Sequence, residues 1–283
     1  MIPWLLGIAF LLSSSLAGII LIFLINGSLP IFEAYGWSFV TGREWFVGET
    51  YGALPMMYGT TVVTGIALGV ALPLGLGTAV MTSEVVGRQT RHVLKSMMEL
   101  MAGVPGIVYG LLGLVLVTTW IRDLFGLIDG NCVLTAGLLL GVMILPTVMT
   151  LSEDAIHAVP RLYRQQARAL GFQAHEVILH AVLPQAMPGI VGAMLLGLTR
   201  AMGETIAVML VIGSLDRLPA PLYNLFAPAQ TIASKIGREG AEAIGVGLHW
   251  NALVALGLIL FVMVMTLTWS AEQLGWKGRL HRI

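Results

Sequence analysis

The chain has 283 residues, of which 57% are hydrophobic and only 11% charged, with a mean hydropathy of +0.88. A soluble domain carries about 25% charged residues, so too few polar groups are present to cover this chain in water. Fifteen Lys+Arg against fifteen Asp+Glu exclude a basic nucleic-acid protein and an acidic disordered chain, and the single Cys132 excludes a disulfide framework or a cysteine zinc site. The class that remains is a polytopic membrane protein.

A bilayer core of about 30 Å needs roughly 20 apolar residues in a helix. Six stretches qualify: Ile2–Ile25, Met56–Met81, Met97–Trp120, Val133–Leu151, Ala186–Ile212 and Trp250–Trp269. Their apolar runs are continuous, whereas barrel strands alternate, so an all-α helical bundle is predicted. In the first stretch Ser15-Leu16-Ala17 looks like a cleavage site. However, Met1-Ile2-Pro3 carries no positive charge and the apolar run continues to Ile25, so a retained helix is expected. In the second, Gly75-Leu76-Gly77 starts like a dinucleotide fingerprint but lacks the third glycine and lies in an apolar segment. Pro73, Pro105-Gly106 and Pro146 interrupt the second, third and fourth stretches, as kinks that neighbouring helices can satisfy. Glu99 lies near the inner end of the third stretch, where a long side chain can snorkel. Small residues at four-residue spacing, Gly65/Gly69, Gly106/Gly110, Gly137/Gly141 and Ala193/Gly197/Ala201, predict close helix packing.

Between the fourth and fifth stretches, Ser152-Glu153-Asp154 reads as a capped helix start. Helix formers follow from Tyr163 to Leu170, and Gly171 fits a left-handed C-cap. A second short helix is expected from Gln173 to Ala181, ending at Leu183-Pro184. This helix–Gly–helix at the membrane face is by itself equally a spacer or a docking site.

The fifth stretch holds Arg200 and Glu204. Arg200 lies 14 residues after Ala186 and 12 before Ile212, near the bilayer midplane. An arginine there costs at least about 2.5–3.5 kcal/mol, so something must offset it. Glu204, one turn on, is a candidate partner, although Arg before Glu is the less favoured order for such a pair. Two readings follow: a static ion pair between helices, or a polar patch on a substrate path. The planar arginine fork matches phosphate or carboxylate oxygens, which points to an oxyanion rather than a cation or sugar.

With a cytoplasmic N-terminus the inside segments hold Arg88, Arg91, Lys95, Arg161, Arg164, Arg168, Lys277, Arg279 and Arg282. The outside loops hold Arg43, Arg122, Arg217, Lys235 and Arg238. Nine against five places both termini in the cytoplasm. Trp37, Trp45, Trp120, Trp250 and Trp269 fall at or near segment ends, as interfacial anchors do. No G-x-x-x-x-G-K-[ST] occurs around Lys95, Lys235 or Lys277, so the chain cannot hydrolyse ATP by a P-loop of its own. No H-E-x-x-H occurs either, and His157, His175 and His180 lack ligand spacing. A transport role is favoured over an enzyme, since only Arg200 and Glu204 are polar enough for a cluster inside the membrane.

Ala167, Gly171 and Leu183-Pro184 stand at the spacing of the EAA loop of binding-protein-dependent ABC importer permeases, which the chain resembles. Gln165 and Gln166 occupy the first two positions of that loop, and Ala181 stands where the family usually has isoleucine. Further stretches resemble the PstC-type permease subunits of phosphate ABC importers. These are Tyr51-Gly52-Ala53-Leu54-Pro55 with Gly59-Thr60, Glu99 through Gly110, Val133–Gly137, Met143–Pro146, Arg200-Ala201-Met202-Gly203-Glu204-Thr205, and Thr231-Ile232-Ala233-Ser234. The resemblance implies a MetI-like permease with its importer core at about residues 56–270 and its coupling loop at 152–185, in a single domain 1–283. It implies a substrate pathway at Arg200, Glu204, Thr205 and Glu99, and ATPase coupling through Gln165, Gln166, Ala167, Gly171, Leu183 and Pro184. Implied partners are a PstA-type second permease, a PstB-type ATPase dimer carrying ATP and Mg, and the periplasmic binding protein PstS, in a bacterial inner membrane. No cofactor, metal or nucleic acid is expected on this chain. The alternatives are a permease for another oxyanion and a secondary anion transporter.

Overall fold

The computed structural model describes residues 2–280. Met1 and Arg282, both used in the sequence reading, lie outside them. Ten helices carry the fold: α1 (Ile2–Tyr35), α2 (Leu54–Val85), α3 (Arg88–Ala102), α4 (Gly106–Phe125), α5 (Val133–His157), α6 (Arg161–Ala169), α7 (Ala174–Gly203), α8 (Ile206–Val211), α9 (Ile232–Ala243) and α10 (Gly247–Leu280). A one-turn helix at Ser38–Thr41 and a two-stranded antiparallel hairpin, β1 (Trp45–Phe46) and β2 (Thr50–Tyr51), follow α1. Six helices, α1, α2, α4, α5, α7 and α10, are long and apolar enough to cross a membrane, so the predicted all-α polytopic bundle is the observed one.

Every expected span has its helix, but the boundaries differ for physical reasons. α1 runs past the expected Ile25 to Tyr35 with Pro30 inside it; beside that proline, Asn251 of α10 donates to the Gly27 carbonyl at 2.7 Å. The third stretch is not one helix from Met97. Pro105 has no N–H and disfavours helix at the residue before it, so the chain stops at Ala102 and restarts at Gly106. The piece before the break, α3, is a separate amphipathic helix laid along α5.

The helices pack in two main groups, α2 and α7 on α5, and α1 on α10. Val63, Leu140, Met143, Val208 and Val211 fill the central core. Ile31, Phe39, Trp45, Met56 and Leu256 fill a second core under the hairpin, and Met149, Ile156, Ala167, Val177 and Ile190 a third at the α6 end. Three of the four small-residue sets mark close approach, Gly197 among them, where a Cβ would lie 2.8 Å from Val148. A Cβ on Gly110 would lie 2.9 Å from Ala207 Cα, and one on Gly137 would lie 2.6 Å from Ile66. Gly65 and Gly69, expected to pack likewise, face open space. Gly59-Thr60 and Thr231–Ser234, distant in sequence, meet here. The Ile232 N–H donates to Thr60 Oγ1 at 3.0 Å, and Gly59 abuts the Gln230 carbonyl.

Candidate functional site

The fifth span is broken where the sequence reads as continuous. α7 ends at Gly203, Glu204 is extended with ψ 123°, and α8 restarts at Ile206. The break separates the two charges expected to pair. Glu204 turns forward and accepts from the Ala207 N–H at 3.2 Å, its carboxylate packed over Gly106 at the start of α4. Arg200 turns toward other helices: Nη1 donates to Thr147 Oγ1 of α5 at 2.9 Å and Nη2 to the Ala102 carbonyl at the end of α3 at 3.2 Å. The static Arg200–Glu204 pair is therefore not formed. Each charge instead meets the helix terminus that favours it, the cation at the last turn of α7 and the carboxylate at the first amides of α8.

Arg200 is half-buried, and both its partners are neutral. A guanidinium has five N–H donors in a fixed fork, so donors remain for an anion. Thr205 sits in the break with its methyl against Gly237 of α9. Glu99 is exposed on α3, outside the crossing helix, and no bond joins it to Arg200. Sequence reasoning missed Thr147 and the Ala102 carbonyl, because a hydroxyl and a main-chain oxygen carry no signal in an apolar run.

The break also links the site to the α6 end of the molecule through α3. Its C-terminal carbonyl holds Arg200, while its first half holds α5. Arg91 lies 2.5 Å and Lys95 3.2 Å from the Glu153 carboxylate, whose side chain is 0% exposed. Lys95 also binds Asp154. Partial burial lowers the Lys95 pKa, but its hydrogen bonds to Asp154 and Glu153 outweigh that and hold it above the usual lysine range. This clamp overturns the expected helix start at Ser152. With Glu153 neutralised from α3, α5 continues through Ser152 to His157 and stops only before Pro160.

Beyond Pro160 comes the helix–Gly–helix. α6 spans Arg161–Ala169, and Gly171 is left-handed with φ +87°. The Gly171 N–H donates to the Arg168 carbonyl and the Phe172 N–H to the Ala167 carbonyl. Gln173 caps α7 with a reciprocal bond to Glu176. The second short helix does not end at Leu183-Pro184. A π turn at Ile178–Val182 shifts the hydrogen-bond register just before the proline, and the helix runs on into the membrane span. Ala167 is buried in the core at the α6 end, while Gln165, Gln166 and Gly171 are exposed, and Leu183 and Pro184 are half-buried at the loop's root. Arg164 fixes the loop to the end of α2, donating to Glu84 at 2.6 Å and to the Ile156 carbonyl at 3.0 Å.

At the opposite end Lys235, counted as an outer-loop cation, is wholly buried. Its ammonium is 2.5 Å from Asp216, 2.6 Å from Glu239 and 5.0 Å from the centre of the Trp45 ring. Arg238 joins both carboxylates at 3.2 Å. No metal-ligating cluster occurs among the described residues.

Residues 71–275 match the family model of the binding-protein-dependent transport system inner membrane component. The phosphate transport system permease protein PstC of Mesorhizobium japonicum is 37% identical over 268 residues, covering 88% of this chain and 81% of that one. The protein of that name from Pasteurella multocida is 35% identical over 271 residues, covering 89% and 83%. A probable ABC transporter permease protein, YqgH of Bacillus subtilis, is 33% identical over 244 residues, covering 85% and 76%. Among solved structures, an inward-facing MetNI methionine ABC transporter aligns with TM-score 0.59 at 16% identity, over 80% of this chain and 94% of that one. A bacterial alginate ABC transporter aligns with TM-score 0.53 at 16% identity, over 95% and 96%. At these identities the solved structures speak for the fold alone.

Proposed function

The chain belongs to the binding-protein-dependent transport system inner membrane component family, and from that premise we propose that it is the PstC-type permease subunit of an ATP-driven importer of inorganic phosphate. The observation that carries the substrate is Arg200. It is the one basic residue at the broken span, and its partners leave its charge uncompensated and part of its fork free. A tetrahedral oxyanion accepts from such a fork in bidentate fashion. Glu204, one step along the path, limits how tightly the anion is held, so that it can leave. Thr205 lines the same break, and Glu99 stands at the inner mouth of the path.

The transport machinery follows the same reading. The chain lies in the bacterial inner membrane with both termini in the cytoplasm, and its importer core, residues 56–270, pairs with a PstA-type permease. PstS delivers phosphate to the outer loops. A PstB-type ATPase dimer, holding ATP and Mg, pushes on the loop 152–185 through Gln165, Gln166, Ala167 and Gly171, with Leu183 and Pro184 at its root. α3 is the mechanical link. One end clamps Glu153 beside the loop and the other accepts from Arg200, so displacement of the loop alters what surrounds the guanidinium. Coupling of this kind requires substrate to interact differently with two states of the site, and the Ala102–Arg200 contact is the point at which loop displacement would reach the guanidinium.

The test is Arg200→Gln in the assembled importer reconstituted in liposomes. Phosphate uptake is expected to be lost while the four-subunit assembly remains intact. Assembly lost together with uptake would make Arg200 a brace instead.

A further inference from the structure

At the α6 end, a cavity of about 500 Å³ lies between the end of α2, the start of α3 and the end of α5. Arg88, Arg91, Arg161, His92 and His157 line it, and no carboxylate does. It shares Ser83, His157 and Arg161 with a smaller cavity of about 320 Å³, where Arg164 is already committed to Glu84. Arg91 is partly committed as well, with Glu153 at 2.5 Å and His157 Nδ1 at 2.7 Å. Arg88 and Arg161 make neither an ion pair nor a side-chain hydrogen bond among the described residues. Two guanidiniums without partners, a third paired to Glu153, and two imidazoles thus line a hollow that no carboxylate lines.

We infer that this cavity is a binding site for a phosphoryl oxyanion, distinct from the pathway at Arg200. Arginine forks from separate helices match phosphate oxygens, and a basic pocket between helices at the membrane face suits either a lipid headgroup or a free phosphate. The ligand joins Arg88 of α3 to Arg161 of α6 and competes with Glu153 for Arg91. Filling the cavity therefore loads the same clamp that connects the loop to Arg200. Its chemistry does not depend on which way the chain is inserted; only its exposure to the cytoplasm rests on the orientation proposed above.

The test is residue-resolved modification of the complete importer by phenylglyoxal, in phosphatidylcholine nanodiscs that leave both faces open, read by mass spectrometry. Protection rises as one plus ligand concentration over Kd. Millimolar inorganic phosphate should then slow modification of Arg88 and Arg161 by at least about fivefold, while the distant Arg122 keeps its rate. In Arg161→Gln the protection of Arg88 should fall below about twofold, because the two arginines share one ligand. Protection by nanodiscs containing phosphatidic acid and not by inorganic phosphate assigns the site to a lipid headgroup. The inference is overturned by no protection in either arm, by equal protection of Arg122, by protection of Arg88 that survives Arg161→Gln, or by arginines already unreactive without phosphate because a partner subunit fills the cavity. Because the readout is local, it is unaffected by whether Arg200 carries substrate.

Discussion

Two cations withdrawn from water, Lys235 and Arg200, are treated in opposite ways. Lys235 has two carboxylates within 2.6 Å, an aromatic face beneath it and 0% exposure. Arg200 has a hydroxyl and a carbonyl, both neutral, and remains half-open. In a medium of low dielectric a paired charge repays its desolvation internally, and its main effect is to hold the surrounding elements in register. An unpaired charge leaves that repayment to whatever arrives. The network at Lys235 braces β1, the 213–231 segment and α9; on the proposed reading the broken span is the site.

Substitution should separate the two. Arg200→Gln is the largest functional effect expected, loss of transport without loss of assembly. Lys235→Met is the largest structural one. It leaves Asp216 to Arg238, and Glu239 to Arg238 and the more distant His249 at 3.6 Å, and breaking a buried pair in this way costs about 3–5 kcal/mol. The outcome is a lower unfolding temperature and poor recovery of the detergent-purified importer, with normal uptake per molecule that does assemble. Unchanged thermal stability in Lys235→Met would erase the distinction between brace and site.

Gly171→Val touches neither cation and isolates the coupling path. A Cβ there meets nothing within 4 Å, so the cost is the left-handed φ of +87° alone, about 1–3 kcal/mol for a β-branched residue. The expected result is an intact complex whose ATP hydrolysis no longer responds to loaded binding protein, with uptake reduced in proportion. Normal coupled uptake would remove Gly171 from the pathway.

What the sequence reveals, and what it hides, divides along the same line. Arg200 is legible because one charge in an apolar run has no cheap explanation, and Gly171 because the helix formers end there. The break at Glu204 is hidden: a spacing of four residues fits a continuous helix, and the contacts that Glu204 makes instead, over Gly106 of α4 and on the Ala207 N–H, carry no mark in the sequence. Ser152 reads as a cap because Glu153 and Asp154 look like first-turn acids. Their partners Arg91 and Lys95 lie on α3, far away in sequence. Pro105-Gly106 is visible but reads as a kink, whereas it separates two helices. Lys235 is invisible for the same reason as Thr147, since burial and partners are long-range properties.

The smallest expected effect is also the finest test of the contrast. Thr147→Val removes the hydroxyl that accepts from Arg200 Nη1 while nearly preserving shape. Because Arg200 is half-open, water can replace the lost partner, so the net loss is that of an ordinary hydrogen bond, about 1 kcal/mol or roughly fivefold. If the hydroxyl aims the fork at substrate, that fivefold should appear in phosphate uptake at limiting concentration, with the unfolding temperature unchanged. Thr147→Ser, which keeps the hydroxyl, should restore it. A loss of thermal stability without a change in uptake would mean that the Thr147 bond serves packing, and Arg200 would then share the role of Lys235. Full activity in Thr147→Val would leave the Ala102 carbonyl as the only contact that orients Arg200, placing the aim of the fork wholly on α3.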